Sequence, residues 1–224
     1  ALLNELGDAD LSNEAFPFGT GQAITLAGIE VFALRMTYVG ELGWELYIDA
    51  ADAGTVYDAL VAAGPAHGLR HAGYHAMNTL RLEAGYRHWG HDITDEDTPL
   101  EAGLGFAVAW DKPGGFRGRD ALLARKDEPR SKRLVQYKLH DPDRLLYHDE
   151  PIYRNGELVG RTAGGMWSYV ENAALAMGYL HNGDGVTAAW LDDGDIEIEV
   201  ATVRIPASAS IRSFYDPKNE RVRM

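Results

Sequence analysis

The sequence predicts an α+β chain whose first part combines a β-hairpin with two helices and whose second part is a small antiparallel barrel or sandwich. Two observations carry that prediction. As far as residue 86, runs of strand and helix character follow one another in the order strand, strand, helix, helix. From residue 133 onward, short apolar and β-branched runs succeed one another with turn residues between them and no helical run.

Residues 30–37, EVFALRMT, mix β-branched, aromatic and apolar types, and after Gly40 to Gly43 the pattern resumes at Trp44–Ile48, which reads as a hairpin. Ala51–Ala63 sets Ala53, Val56, Tyr57, Leu60 and Val61 at helical spacing. Asp52 sits in its first turn, where the helix dipole favours an anion, and Gly64-Pro65 stops it. A second helix is predicted over His71–Tyr86, where Ala76, Leu80 and Ala84 recur every fourth residue, although Gly73 and Gly85 weaken it. The strand-like runs of the second part are 133–139, 150–153, 157–162, 174–180, 186–191 and 196–205. Asn155-Gly156, Asn182–Gly185 and Asp192–Asp195 serve as turns. The texture changes near residues 126–132, which places the two domains at 1–128 and 129–224.

Composition narrows the function. With 46% hydrophobic and 25% charged residues, the chain has the make-up of a globular protein. No run reaches the ~18 apolar residues of a membrane span. The absence of cysteine excludes disulfides, thiolate metal sites and cysteine nucleophiles. Lys and Arg number 21 against 34 Asp and Glu, and the net charge of -13 opposes nonspecific association with nucleic acid or an anionic membrane. Neither is expected as a partner. The one basic island, Lys112 to Arg133, is either a solvated connector with a short helix at Asp120–Lys126 or an anion-contacting or interdomain surface. The opening ALLNELGDAD has neither a leader's basic start nor its apolar core, so a cytoplasmic fragment of a longer protein is the expectation.

His67, His71 and His75 share a four-residue spacing, with His88 and His91 nearby, but Gly68 interrupts the pattern and no glutamate base accompanies them, so no metal site is expected. Asp192–Asp195 lacks the remaining ligands of a calcium loop. Gly19-Thr20-Gly21 lacks the third glycine and the helix of a dinucleotide fingerprint.

The segment from Thr37 to Glu45 is richer. It places Glu41, Glu45, Tyr38 and Trp44 on one hairpin. Strand alternation puts Trp44, Leu46 and Ile48 on one side and Glu45 with Tyr47 on the other. A carboxylate beside aromatic rings suits a flat heterocycle that presents an amino group next to a ring N–H, the edge of a pterin. Spacing alone favours the plainer reading, a solvent-facing hairpin glutamate paired with a surface base.

The strings TYVGELGWELYI, NTLRLEAGYRHWGHDITDEDTPLEAGLGF and FRGRDAL, in that order, resemble the glycine-cleavage T-protein (aminomethyltransferase) family. DLSNEAFPFGTG, GGMWSYVENAALAMGYL and FYDPKNERVRM are most similar to the folate-binding C-terminal half of dimethylglycine and sarcosine dehydrogenases or oxidases. The resemblance covers essentially the whole chain. It implies a partial aminomethyltransferase-like folate-binding α/β domain followed by a small antiparallel β-barrel domain. It also implies tetrahydrofolate as ligand, with pterin contacts at Tyr38 and Glu45, and with Arg81 as a further candidate. Tyr86 and Trp89 are weaker candidates for the pocket wall, and for each of them core packing is the favoured alternative.

Met77 stands where T proteins carry a folate-contacting arginine, which favours the dehydrogenase-like branch and puts arginine-based binding of the folate tail in doubt. The family's catalytic aspartate lies upstream of these residues, so no catalytic residue is assigned here. The resemblance implies an upstream flavin (FAD) domain in the same polypeptide, which oxidises an N-methylated glycine and passes its one-carbon unit to tetrahydrofolate. It implies the mitochondrial matrix if the source is eukaryotic, and inactivity of this chain alone. The alternatives are a true T protein and a non-catalytic folate-binding or interaction module.

Overall fold

Alternating burial builds the first sheet. β1 (Gly21–Leu26) and β2 (Ile29–Leu34) bury Ile24, Leu26, Val31 and Ala33 on one face and expose the residues between them, as a period of two requires. Their turn, Ala27-Gly28, has φ of 49° and 80°, a left-handed pair that suits a tight two-residue hairpin. β3 (Glu45–Tyr47) adds to β2 with Phe32 opposite Tyr47, Ala33 opposite Leu46 and Leu34 opposite Glu45, so the predicted hairpin is present. The sheet is antiparallel in the order β1-β2-β3.

The computed structural model describes all 224 residues, and the sheet belongs to the first of two compact units, Ala1–Leu80 with Lys218–Met224. Its covered face packs Phe16, Ile24, Leu26, Val31 and Ala33 with Val56, and Leu3, Leu6, Trp44, Leu46, Ile48 and Leu60 close around them. Leu3 and Leu6 come from α1 (Leu2–Leu6), and Val56 and Leu60 from α2 (Ala53–Ala63). Gly64-Pro65 ends the α-helix at Ala63 as expected, but the chain goes on coiling. It tightens into a 3-10 turn over Gly64–His67, since proline is tolerated in a first turn, and Gly68 ends it at φ 72°. α3 (Tyr74–Glu83) is shorter than predicted at both ends, because Gly73 lies before its start and Gly85, at φ 69°, beyond its end.

The second unit is Arg81–Pro217. α4 (Arg119–Ala124) occupies the basic island, and the composition break at 126–132 immediately precedes β4 (Lys132–Leu139). With β5 (Pro151–Arg154), β6 (Glu157–Ser168), β7 (Ala173–His181), β8 (Ile196–Val200) and β9 (Val203–Ser210), β4 closes an antiparallel barrel in the order β4-β7-β6-β5-β8-β9. Closure leaves no open edge among these strands. The barrel core includes Tyr137, Leu139, Leu146, Ile152, Ala174, Leu180 and Ile198. Gly178 of β7 lies so close to β6 that a Cβ there would sit 2.7 Å from Thr162 Cα.

Two expectations for this half are corrected. The run 186–191 is not a strand; Ala188–Asp192 is a short helix, α5, because Thr187 adopts extended backbone and its Oγ1 accepts from Trp190 N at 3.1 Å as an N-cap. The run 196–205 is two strands, folded back at Ala201 and Thr202, whose φ values are 49° and 68°. No helix is long and apolar enough to cross a membrane.

Candidate functional site

In the first unit the connection between β2 and β3 is held by local geometry. Gly40 has φ 74°, and a Cβ on Gly43 would lie 2.9 Å from the Thr37 side chain, so each position needs glycine for its own reason. Thr37 Oγ1 accepts from Val39 N at 3.1 Å. Glu41 takes the guanidinium of Arg221, whose Nε lies 2.9 Å and 2.7 Å from its two oxygens. Tyr38, between these anchors, is partly buried.

Glu45 stands on the sheet face opposite the core. Tyr47 donates its hydroxyl to Glu45 Oε2 at 2.9 Å, and the carboxylate holds that phenol above its ordinary pKa. The Tyr47 ring lies 6.4 Å from the Phe32 ring at an interplanar angle of 56°. Phe32 and Tyr47 are 48% and 54% exposed, so a carboxylate and two rings share one open surface. That set can accept adjacent N–H donors and offer ring faces to a flat heterocycle. Glu45 itself does not line the cavity of this unit, which opens on the Trp44 and Leu46 side.

In the second unit Arg81 is 3% exposed. Its Nη1 donates to Asp92 Oδ2 and, at 3.1 Å, to the Tyr86 carbonyl, and the same Asp92 oxygen accepts from His88 N at 2.8 Å. The Arg81 guanidinium therefore braces the loop that carries Tyr86. Burial, with Asp216 nearby, raises the pKa of the half-buried Tyr86 hydroxyl. Trp89 is 66% exposed rather than packed in a core.

Glu83, in the motif that supplies Arg81, is buried and accepts from Ser168 Oγ at 2.7 Å and Val170 N at 3.3 Å. Ser168 Oγ accepts in turn from Glu171 N. Tyr169, 82% exposed, thus rides on a turn tied to a buried carboxylate, while Trp167 packs against the barrel core. The histidines have separate partners: His67 Nε2 is 2.6 Å from Glu5, and the rings of His88 and His91 lie 4.3 Å apart.

Of the expected site residues, Tyr38 and Glu45 fall in the first unit, Arg81 and Tyr86 in the second. Three side chains were not anticipated: Phe32, Arg35 and Asp92. Phe32 and Arg35 carried a signal, being respectively out of phase and in phase with Val31 and Ala33. Asp92 carried none, since its partner lies eleven residues away across a loop.

A sheet-and-helix unit followed by a closed six-stranded barrel is the aminomethyltransferase-like fold. Sequence profiles for the GCVT N-terminal domain and the glycine cleavage T-protein C-terminal barrel domain match residues 1–112 and 132–216, and the chain belongs to this GCVT family. It is 42% identical to human mitochondrial sarcosine dehydrogenase over 225 aligned positions, which cover 100% of this chain and 24% of the relative. It is also 42% identical to 4-methylaminobutanoate oxidase (formaldehyde-forming) of Paenarthrobacter nicotinovorans, over 99% of this chain and 26% of the relative. The chain thus spans about a quarter of the length of these relatives. Among solved structures, the glycine cleavage system aminomethyltransferase T of Bartonella henselae superposes with a TM-score of 0.69 and 26% identity, covering 80% of this chain and 48% of that one.

Proposed function

We propose that this chain is the tetrahydrofolate-binding, one-carbon-transfer module of a longer flavoprotein that oxidises an N-methylated amine of the sarcosine or dimethylglycine type. The observation that carries the reading is the Glu45 carboxylate, oriented by Tyr47 beside the Phe32 ring on an open sheet face. Its oxygens fit the amino and ring N–H edge of a pterin, and the rings fit its faces. Tyr38 contributes a second contact from the glycine-braced loop. Within the second unit, Arg81 paired with Asp92 braces the loop that carries Tyr86.

Reduced folate supplies the nitrogen nucleophile that accepts the one-carbon unit. The residues here bind and orient it, and orientation lowers the barrier without a protein nucleophile. The FAD belongs to the part of the longer polypeptide outside these residues. Relatives named mitochondrial support a matrix location if the source is eukaryotic.

The test uses the longer polypeptide with sarcosine as substrate, measuring methylenetetrahydrofolate against free formaldehyde when tetrahydrofolate is present. The wild type should form mainly the folate product, and Glu45→Gln should shift the balance toward formaldehyde at unchanged amine consumption. An unshifted balance in the folded variant rejects the reading.

A further inference from the structure

The connection between β2 and β3, residues 35–44, bears Tyr38 and leads directly into Glu45. Lys218–Met224, distant in sequence, belongs to the same compact unit. There the chain forms a 3-10 turn, Arg221–Arg223, in which Met224 N donates to the Arg221 carbonyl at 3.5 Å. At about three residues per turn, positions 221 and 224 lie one above the other on one side of it. Both meet the connection. Arg221 Nε lies 2.9 Å and 2.7 Å from the two oxygens of Glu41, midway along it. The main-chain oxygen of Met224 accepts from Arg35 Nη2 at 3.1 Å, at its start. Arg35 is only 2% exposed, and its Nη1 donates to the Phe16 carbonyl at 2.8 Å, so that end of the strap grips a fixed group. Val222, also 2% exposed, anchors the turn by burial.

These contacts do different things. Val222 and the Arg35 bond hold the turn in place, whereas the Arg221–Glu41 pair, 47% and 37% exposed at its side chains, adds little to global stability. Its effect is local. A bond from an anchored turn to a connection that contains Gly40 and Gly43 removes conformations in which Tyr38 stands elsewhere. A ligand that needs one conformation binds in proportion to the population of that conformation.

We propose that Arg221 is a positioning residue for the folate site, holding the Tyr38 connection through Glu41 in the form that receives the pterin; this rests on the folate reading of Tyr38 and Glu45. The test takes the longer polypeptide with Arg221→Glu, with Glu41→Arg, and with both together, which restores the pair with its charges exchanged. Tetrahydrofolate affinity is titrated, hydrogen exchange over residues 37–47 is followed without ligand, and urea unfolding monitors the whole protein. Each single variant should weaken tetrahydrofolate at least fivefold and quicken exchange over 37–47 at an unchanged urea midpoint. The double variant should recover most of both. Weakening without local quickening, a double variant as weak as the singles, or quickening spread over the whole protein would each overturn the proposal. Single variants that bind as tightly as a binding wild type overturn the role of Arg221 and leave the folate reading intact. A wild type that binds no tetrahydrofolate overturns the folate reading, and this role with it.

Discussion

Tyr47 and Glu45, two positions apart on β3, lie on the same open sheet face and are joined by a hydroxyl-to-carboxylate hydrogen bond of 2.9 Å. Tyr47 therefore fixes the direction of Glu45 without neutralising it. Tyr47→Phe keeps the ring and removes only the donor, so it should weaken tetrahydrofolate binding by about 0.5–1.5 kcal/mol, the net worth of one hydrogen bond. Phe32→Ala should weaken it by a similar amount, about 0.5–1.5 kcal/mol, through lost ring contact. Equilibrium titration of both variants checks this, and unchanged affinity in both would remove the open face from the site.

Arg81 and Asp92 are 3% and 0% exposed at their side chains, and each is the other's charge partner. Removing one partner strands the other. Asp92→Asn or Arg81→Met should each destabilise the fold by about 3–5 kcal/mol in urea unfolding, whereas an Arg81→Met/Asp92→Leu double variant should lose less than the sum. Additive losses would mean that the pair is not coupled.

Glu83 holds the turn of Tyr169 through Ser168 Oγ and Val170 N. Ser168→Ala leaves the buried Glu83 carboxylate short of a donor and should cost about 1–3 kcal/mol. Amide exchange should quicken first at Val170 and Glu171, where the tether acts. Uniform acceleration across the barrel instead would assign Ser168 to global stability alone.

Asp97 and Glu101 set the acid limb of stability. Burial raises the pKa of both carboxyls, but it is outweighed: by Lys132 at 2.6 Å and Thr94 N for Asp97, and by Thr98 and Arg125 for Glu101. Both therefore fall below their ordinary values of 3.8 and 4.5. For a carboxyl depressed on folding, the stabilisation is full above the unfolded pKa and is lost as pH falls through the folded one. Stability should thus decline below pH 4.5, most steeply below 3.8, and Lys132→Met should flatten that decline. A Lys132→Met acid transition as steep as that of the wild type would contradict it.

Where strands obey alternation and turns use glycine or asparagine, the sequence was readable. β4, β5 and β7 were visible as apolar runs, β6 was read only as far as Thr162 although it continues to Ser168, and the β2–β3 hairpin was placed by its glycines. The failures share a cause. Ala201 and Thr202 turn the chain in left-handed conformations that neither residue advertises, so β8 and β9 read as one strand. Thr187 acts as an N-cap only once the barrel places it, so α5 read as a strand. At the candidate site, Glu45 and Tyr47 could be placed on one face by counting alone. Asp92 could not be matched to Arg81, because the loop between them has no period that brings charges together.

The most direct test of the account is calorimetric titration of tetrahydrofolate into the longer polypeptide, run beside the same protein carrying Glu45→Gln. The account predicts measurable binding by the wild type and a loss of about 1–3 kcal/mol in the variant, the range for removing a charged hydrogen-bond partner. Equal affinity in two folded proteins would contradict the role given to Glu45, and no binding by either would leave a GCVT fold that serves something other than folate.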